Sequence, residues 1–328
     1  MVDKSFPLYA FVFGVTLIFT VLIEKSLIPL LVKRAKQPIY TEGPRWHEKK
    51  SGTPTMGGLA FLISICAALA ISAIILFSRG YLNEACSLII SLAFSAFNGL
   101  IGLLDDLKKL HKKENKGLSP KEKLILQAIS AVAFLVLRSI FIEDATTLSF
   151  SFGVLNIGIF YYPIAFLLIL GLVNMANLTD GIDGLAGGVG FAAAVSLFYI
   201  SCSLVTESAI ISAAVIGGTL GFLIFNINPA KIFMGDTGSL FLGALIVSSC
   251  FMLSNPLVTL SINSVYIIEG ISVILQVIWF KLTGKRIFKM APLHHHLEKS
   301  GWSENKICFV AILLTLISSI PAYIFYTP

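Results

Sequence analysis

Five aspartates stand where apolar stretches give way to polar ones: Asp105 and Asp106, Asp180 and Asp183, and Asp236. Acids collected at one depth, beside basic loops, point to a site for a metal ion and phosphates. Asp105 and Asp106 close the apolar run Gly99–Leu104. Two adjacent carboxylates repel each other unless a cation or a proton intervenes. The plainer alternative is that the pair simply ends a helix at the lipid headgroups. Acids at a helix C-terminus oppose the helix dipole, which weakens that alternative.

Three further segments carry polar side chains in patterns that a simple turn does not need. The stretch from Asn174 to Ala186 holds Asn174, Asn177, Asp180, Gly181, Asp183 and Gly184. Asp180 and Asp183 are three apart and share a face if they sit on a first helical turn. Glycines there let backbone approach a ligand closely. Asp180 also suits a helix N-cap, but one cap leaves the other polar side chains unexplained. Asn226 to Ser239 forms a second such connection, with Phe233 and Asp236 ahead of an apolar helix. Asp236 reads as an N-cap, or as a metal ligand beside a helix N-terminus that faces a phosphate. Phe233 suits stacking on a nucleobase or anchoring at the interface. His294, His295 and His296 follow Pro292-Leu293. This is not H-E-x-x-H, so a zinc protease helix is not supported. Three consecutive imidazoles cannot readily ligate one ion together, and they suit hydrogen bonds to pyrophosphate oxygens better. Lys50 through Gly58 forms a tight turn at a helix start, where Lys50 and Thr55 can donate to an anion; for Lys50, topology alone is a sufficient reason.

The elements that must position these residues are membrane helices. The 328 residues are 56% hydrophobic and 13% charged, about half the charge of an ordinary soluble domain. Runs without Asp, Glu, Lys or Arg cover 5–23, 51–78, 85–104, 145–179, 184–206, 208–230, 237–268 and 307–328. A span takes about 20 apolar residues. Ten spans are expected, at 6–32, 55–77, 86–104, 121–141, 160–175, 186–205, 208–226, 238–254, 263–282 and 305–326. The fold class is therefore an all-α polytopic membrane protein, one integral membrane domain over 1–328 with the site built in its loops. Residues 146–159 alternate apolar and small polar side chains, which predicts a short outer β-hairpin.

Lysine and arginine concentrate after spans 1, 3 and 9: Lys33, Arg34, Lys36, Arg45, Lys49 and Lys50; Lys108, Lys109, Lys112, Lys113 and Lys116; Lys285, Arg286, Lys289 and Lys299. Those loops are cytoplasmic by the positive-inside rule, which puts both termini outside and all five aspartates at the inner face. The outer acids Asp3, Glu84, Glu143, Asp144 and Glu207 read as ordinary loop charges. The net charge of +6 belongs to topology and anionic partners, not to nucleic acid. Five scattered cysteines without a C-x-x-C pair read as packing residues. Ala213, Gly217 and Gly221 give span 7 a small-residue stripe for packing within the bundle, with a dimer contact as the alternative. Glu24 is expected to reach the headgroups, Arg138 to snorkel outward, and Glu269 to mark a bend or polar contact.

Taken in order, Pro54–Gly58, Asp105-Asp106, Asn174–Ala186, Phe233–Ser239 and Pro292–Glu298 resemble the polyprenyl-phosphate N-acetylhexosamine-1-phosphate transferases. Pro-Leu-His-His-His-Leu-Glu inclines the resemblance to the branch that transfers phospho-N-acetylmuramoyl-pentapeptide. The resemblance implies UDP-N-acetylmuramoyl-pentapeptide and undecaprenyl phosphate as substrates, lipid I and UMP as products, a requirement for Mg²⁺, a homodimer, and the bacterial inner membrane. It sets Asn226, Phe233 and Asp183 at the uridine and His294 and His295 near the pyrophosphate. Mg²⁺ prefers carboxylate oxygens and keeps several waters, so few protein ligands suffice. Asp236 is the expected metal ligand, Asp105 the candidate base for the lipid phosphate, and Asp106 a support for metal or lysine contacts. Lys50, Thr55 and Lys121 are expected at the substrates, with Asn174, Asn177, Asp180 and His296. Direct attack by the lipid phosphate is preferred, with a covalent aspartyl intermediate left open. Two rivals remain: a relative that uses UDP-N-acetylglucosamine, and a secondary transporter. Transporter sites lie near the midplane in broken helices, unlike acids at inner span ends. A structural scaffold would leave the acids and histidines unexplained.

Overall fold

A computed structural model describes residues 2–34, 50, 52–112, 117–141, 146–203, 206–253 and 255–326. Lys36, Arg45, Lys49, Lys113, Lys116, Glu143 and Asp144 lie outside the described residues. The described residues form a helical bundle with one two-stranded sheet. Its helices are α1 Val2–Arg34, α2 Gly58–Ser78, α3 Leu82–Lys112, α4 Pro120–Phe141, α5 Tyr161–Thr179, α6 Leu185–Ser201, α7 Thr206–Asn226, α8 Gly235–Phe251, α9 Val258–Ile262, α10 Ser264–Thr283, α11 Leu293–Glu298, α12 Glu304–Ser318 and α13 Ile320–Tyr326.

Among the described residues, eight helices are long and apolar enough to cross a membrane. The other two predicted spans are α6 and α8, of 17 residues each. Both are largely enclosed by protein: in α8 every residue from Thr237 to Phe251 is buried. A helix surrounded by other helices has no lipid thickness to match, so its length is not set by the bilayer. The α8 side chains face two apolar clusters at once. Phe241 and Leu245 join one, and Leu240, Ala244 and Phe251 join the other. α8 is the post around which α3, α5 and α2 pack.

The predicted hairpin forms. β1, Thr147–Phe150, pairs antiparallel with β2, Gly153–Asn156, with Leu148 opposite Leu155. Leu148 is buried while β2 is exposed throughout. The hairpin follows the C-terminal end of α4, whereas the aspartates gather near the N-terminal end of that helix.

The small-residue stripe of α7 packs inside the molecule. A Cβ on Gly217 would lie 2.2 Å from Thr16 Oγ1, and one on Gly221 would lie 3.0 Å from the Leu17 carbonyl oxygen. α1 therefore seats directly on this face, which is the packing alternative.

Two polar residues sit deeper than expected. Glu24 is fully buried, and neither of its oxygens has a hydrogen-bond partner among the described residues. It faces into the bundle, not toward headgroups. Arg138 does not snorkel: it is buried, donating from Nε to the Phe251 carbonyl at 2.9 Å and from a terminal nitrogen to Tyr161 Oη at 3.2 Å. A carbonyl at the end of α8 and a phenol satisfy the guanidinium locally, so the side chain has no need to reach water.

Close backbone approach places the acids. Gly102 of α3 lies against the first turn of α8, and a Cβ there would stand 2.1 Å from the Asp236 carbonyl oxygen. Backbone cannot yield to such an overlap as a flexible side chain can. Gly102→Ala is therefore expected to destabilise the fold by about 2–3 kcal/mol. The measurement is the thermal unfolding midpoint in detergent, and an unchanged midpoint would show that α3 and α8 separate freely.

Candidate active site

The loop before α2 and the loop before α8 interlock. Phe233 N–H donates to the Pro54 carbonyl, while Gly57 N–H and Gly58 N–H donate to the Phe233 and Met234 carbonyls, at 2.8–2.9 Å. Gly58 and Gly238 also meet, because a Cβ on Gly58 would fall 2.1 Å from Gly238 Cα. Two motifs distant in the chain are thus one piece of structure. Met56 takes a φ of +76° in this turn, a conformation that a non-glycine residue holds only where its surroundings fix it. Thr55 is buried beside this junction, and Phe233 is half-buried with both backbone groups bonded.

Asp105 and Asp106 do not end their helix. α3 continues to Lys112, and Leu107 and Leu110 carry its apolar pattern past the acids. The acids lie in the final turns, where they meet the start of α8. Asp106 is buried and caps that start: Asp236 N–H donates to Oδ1 at 3.2 Å, Thr237 N–H to Oδ2 at 2.9 Å and Thr237 Oγ1 to Oδ2 at 2.6 Å. The N-cap role that the sequence allots to Asp236 therefore belongs to Asp106. Asp236 is inside the first turn.

Asp236 turns its carboxylate to the other side of that junction. Oδ1 accepts from Asn177 Nδ2 at 3.0 Å, and Oδ2 accepts from Lys109 at 3.1 Å and Lys123 at 2.6 Å. Asn177 Nδ2 also donates to Ser239 Oγ at 2.7 Å. Asp105 accepts from Leu118 N–H at 2.7 Å and pairs with Lys109 at 2.6 Å. One oxygen from each of Asp105, Asp106 and Asp236 lies within 4.8 Å of the others. Three carboxylates at that spacing are a hard-oxygen donor set that fits a divalent cation. Asp180 adjoins them. Burial, then the charges of Asp236 and Asp106, push its carboxyl up to about 8. Negative charge here exceeds what Lys109 and Lys123 neutralise, which again favours a cation.

Lys121 is not at this cluster. It is exposed, and Lys123 of the same helix is the lysine that pairs with Asp236. Two residues turn a helix by about 200°, so only one of the pair can face α8. Asn174 also points elsewhere, donating to Gln127 Oε1 at 2.9 Å and to the Leu170 carbonyl at 2.8 Å.

Asp180 and Asp183 do not share a helical face. α5 ends at Thr179 and α6 begins at Leu185, so the aspartates sit in a turn that parts them. Asp183 is buried in a second cluster. It accepts from Lys50 at 2.6 Å, Asn228 Nδ2 at 2.9 Å and Ala230 N–H at 3.0 Å. Glu304, at the start of α12, accepts from Lys50 at 2.7 Å and from Asp183 N–H at 2.9 Å. Burial opposes the charge on Lys50, but its contacts to Asp183 and Glu304 outweigh that and raise its pKa. Asn226 is buried and spends its amide on scaffolding: Oδ1 accepts from Gly184 N–H, and Nδ2 donates to the Ile232 carbonyl.

The three histidines diverge, as successive helical positions must. His294 is fully buried against Glu269, His295 pairs with Glu298 at 2.7 Å, and His296 accepts from Lys289 N–H at 3.1 Å and packs on Phe288. A Cβ on Gly181 would lie 2.2 Å from His294 Nε2, so that ring abuts the Asp180 turn.

Several contributors escaped the sequence. Lys109 was legible, since it stands four residues after Asp105 on one helix. Glu269 was the lone acid of an apolar run, a signal in its own right. Glu304 and Lys123 offered none.

Comparison with known proteins gives the family. Residues 87–254 match glycosyl transferase family 4, and residues 50–62 match phospho-N-acetylmuramoyl-pentapeptide-transferase signature 1. The chain is 45% identical over 297 residues to the phospho-N-acetylmuramoyl-pentapeptide-transferase of Halalkalibacterium halodurans, covering 88% of this chain and 89% of that protein. The chain belongs to the phospho-N-acetylmuramoyl-pentapeptide-transferase family. The proteins of that name from Bacillus thuringiensis and Bacillus cereus are each 41% identical over 305 residues, with 90% of both chains covered. The signature stretch holds Lys50 and Thr55, and its Pro54, Gly57 and Gly58 clasp the loop before α8.

Proposed function

We propose that this chain transfers phospho-N-acetylmuramoyl-pentapeptide from UDP-N-acetylmuramoyl-pentapeptide to undecaprenyl phosphate, giving lipid I and UMP. The observation that carries the reading is the convergence of Asp105, Asp106 and Asp236 within 4.8 Å, flanked by Lys109 and Lys123, in a chain of this family. An oxygen of the lipid phosphate attacks the β-phosphorus of the donor. A new phosphorus–oxygen bond forms, the bond between the β-phosphorus and the bridging oxygen breaks, and UMP leaves with the electron pair. Asp236 would hold Mg²⁺, with Asp105 and Asp106 at its margin. When bound, Mg²⁺ neutralises charge on the pyrophosphate. Lys109 and Lys123 are near enough to meet the same charge. Asp105 takes any remaining proton, a modest task because a phosphate monoester's second pKa is about 6. Asp183, Phe233 and Asn226 line the uridine end, with Lys50 and Thr55 beside them, and His294 and His295 attend the pyrophosphate.

The same reading sets the chain, as a single membrane domain and a homodimer, in the bacterial plasma membrane. Its basic loops and catalytic site face the cytoplasm, α6 and α8 also cross, and both termini lie outside. Distribution of lysine and arginine supports this orientation.

The test is purified protein in detergent with undecaprenyl phosphate, Mg²⁺ and one UDP-sugar at a time. UMP release is expected with the muramoyl-pentapeptide donor and not with UDP-N-acetylglucosamine, and chelation of Mg²⁺ should stop it. Release with the N-acetylglucosamine donor alone would overturn the assignment. Donor without acceptor should leave the protein unmodified; a trapped phosphosugar adduct would refute direct attack.

A further inference from the structure

The geometry points to Glu269 as a positioning residue that aims His294 at the donor. Glu269 is the only Asp, Glu, Lys or Arg between Asp236 and Lys281, and it is buried in α10. An acid in such a place is costly and needs a reason. Its Oε2 holds α11 by two contacts: it accepts from His294 N–H at 3.2 Å and faces His294 Nδ1 at 3.1 Å. Seven residues on, two turns along the same helix, Gln276 Oε1 accepts from Ile287 N–H and Phe288 N–H at 3.1 and 3.0 Å. α10 thus grips the histidine loop at two points on one face, and only the Glu269 grip reaches an imidazole.

The contact decides which nitrogen is presented. A carboxylate accepts, so Nδ1 carries a proton and Nε2 is left to act. His294 is fully buried, and Nε2 has no hydrogen-bond partner among the described residues. A buried ring nitrogen without a partner is uncommon and marks the place of an atom that binds there. Nε2 is aimed at the Asp180 turn, where only the missing side chain of Gly181 leaves room for it. This rests on the proposed function, in which that turn receives the UDP-sugar. Contact with a diphosphate oxygen requires a proton on Nε2 as well, and Glu269 then faces a cationic ring in a charge-assisted pair. Glu269 itself touches no substrate.

The experiment compares Glu269→Met, Glu269→Gln and His294→Asn, singly and combined, by UMP release and by thermal unfolding in detergent. Glutamine keeps an oxygen for the Nδ1 proton; methionine keeps only the volume. Glu269→Met is expected to lower kcat on the order of 10–100-fold, as loss of a ligand-orienting partner does. Glu269→Gln should retain most of that activity, and the unfolding midpoints should stay together. In the His294→Asn background, Glu269→Met should add nothing. An equal loss from Glu269→Met in both backgrounds, or a fall in kcat that Glu269→Gln does not rescue, would overturn the inference while leaving His294 at the donor. Full activity of His294→Asn would overturn both.

Discussion

Asp236→Ala is expected to abolish UMP release while the protein keeps its fold. Asp236 carries two separate demands. Its Oδ2 gathers Lys109 and Lys123, and its Oδ1 orders Asn177. It is also the carboxylate of the cluster best placed for a cation, because its side chain is 19% exposed while those of Asp105 and Asp106 are closed in. Removing it takes away a proposed metal ligand and leaves Asp105 alone to hold Lys109 and Lys123. Loss of one such electrostatic stabiliser costs about 10²–10³ in rate, and loss of the ion's hold adds to it. The expected fall is on the order of 10³ or more. Stability should change little, since this carboxylate is not the one that caps α8. Asp236→Asn should be partly active and need more Mg²⁺. Near-normal turnover of the alanine variant would remove Asp236 from the metal site.

Asp106→Ala should fail in a different way, losing stability and activity together. Asp106 is 3% exposed and accepts from Asp236 N–H, Thr237 N–H and Thr237 Oγ1. Alanine strands two backbone donors and a hydroxyl at the first turn of the most enclosed helix. A lost N-cap costs about 0.5–2 kcal/mol, and each buried donor left unmet costs about 1–3 kcal/mol. The expected destabilisation is about 3 kcal/mol, read as a fall in the thermal unfolding midpoint. Because Asp236 N–H is one of the stranded donors, the Asp236 carboxylate should move as well, and UMP release should fall even in the folded fraction. A variant that melts like the parent would show that α8 holds its start without this carboxylate. Asp236→Ala and Asp106→Ala thus separate a role in charge from a role in placement, within one cluster.

Helices were legible because their signal is local: a span is a run of apolar residues, and each of the ten predicted segments is helical, eight of them in helices long and apolar enough to cross a membrane. The hairpin was legible for the same reason, since alternation is a property of neighbours. Boundaries were not. α3 outruns its apolar segment because Asp105 and Lys109 pair one turn apart, and such a pair satisfies charges that would otherwise end the helix. The fates of Glu24 and Arg138 were misread because an ionisable residue near a span end has two solutions, water or a buried partner. Only the packing selects between them.

The site divides along the same line. Residue types and order alone identified the aspartates, the amide-rich turns and the histidines, because phosphate chemistry needs oxygen ligands, cations and donors that few other tasks need together. The sequence by itself therefore determined the kind of protein, its helices and the segments that supply the candidate site. Tertiary structure alone decided the division of labour: Asp106 as cap and Asp236 as open carboxylate, Lys123 in place of Lys121, Asp183 paired with Lys50 and Glu304 away from Asp236, and Glu269 behind His294. Those pairings join residues up to 254 positions apart. They depend on which backbones approach closely, as at Gly102 and Gly58, and on which turn of each helix faces inward. Neither is a property of any short stretch of chain.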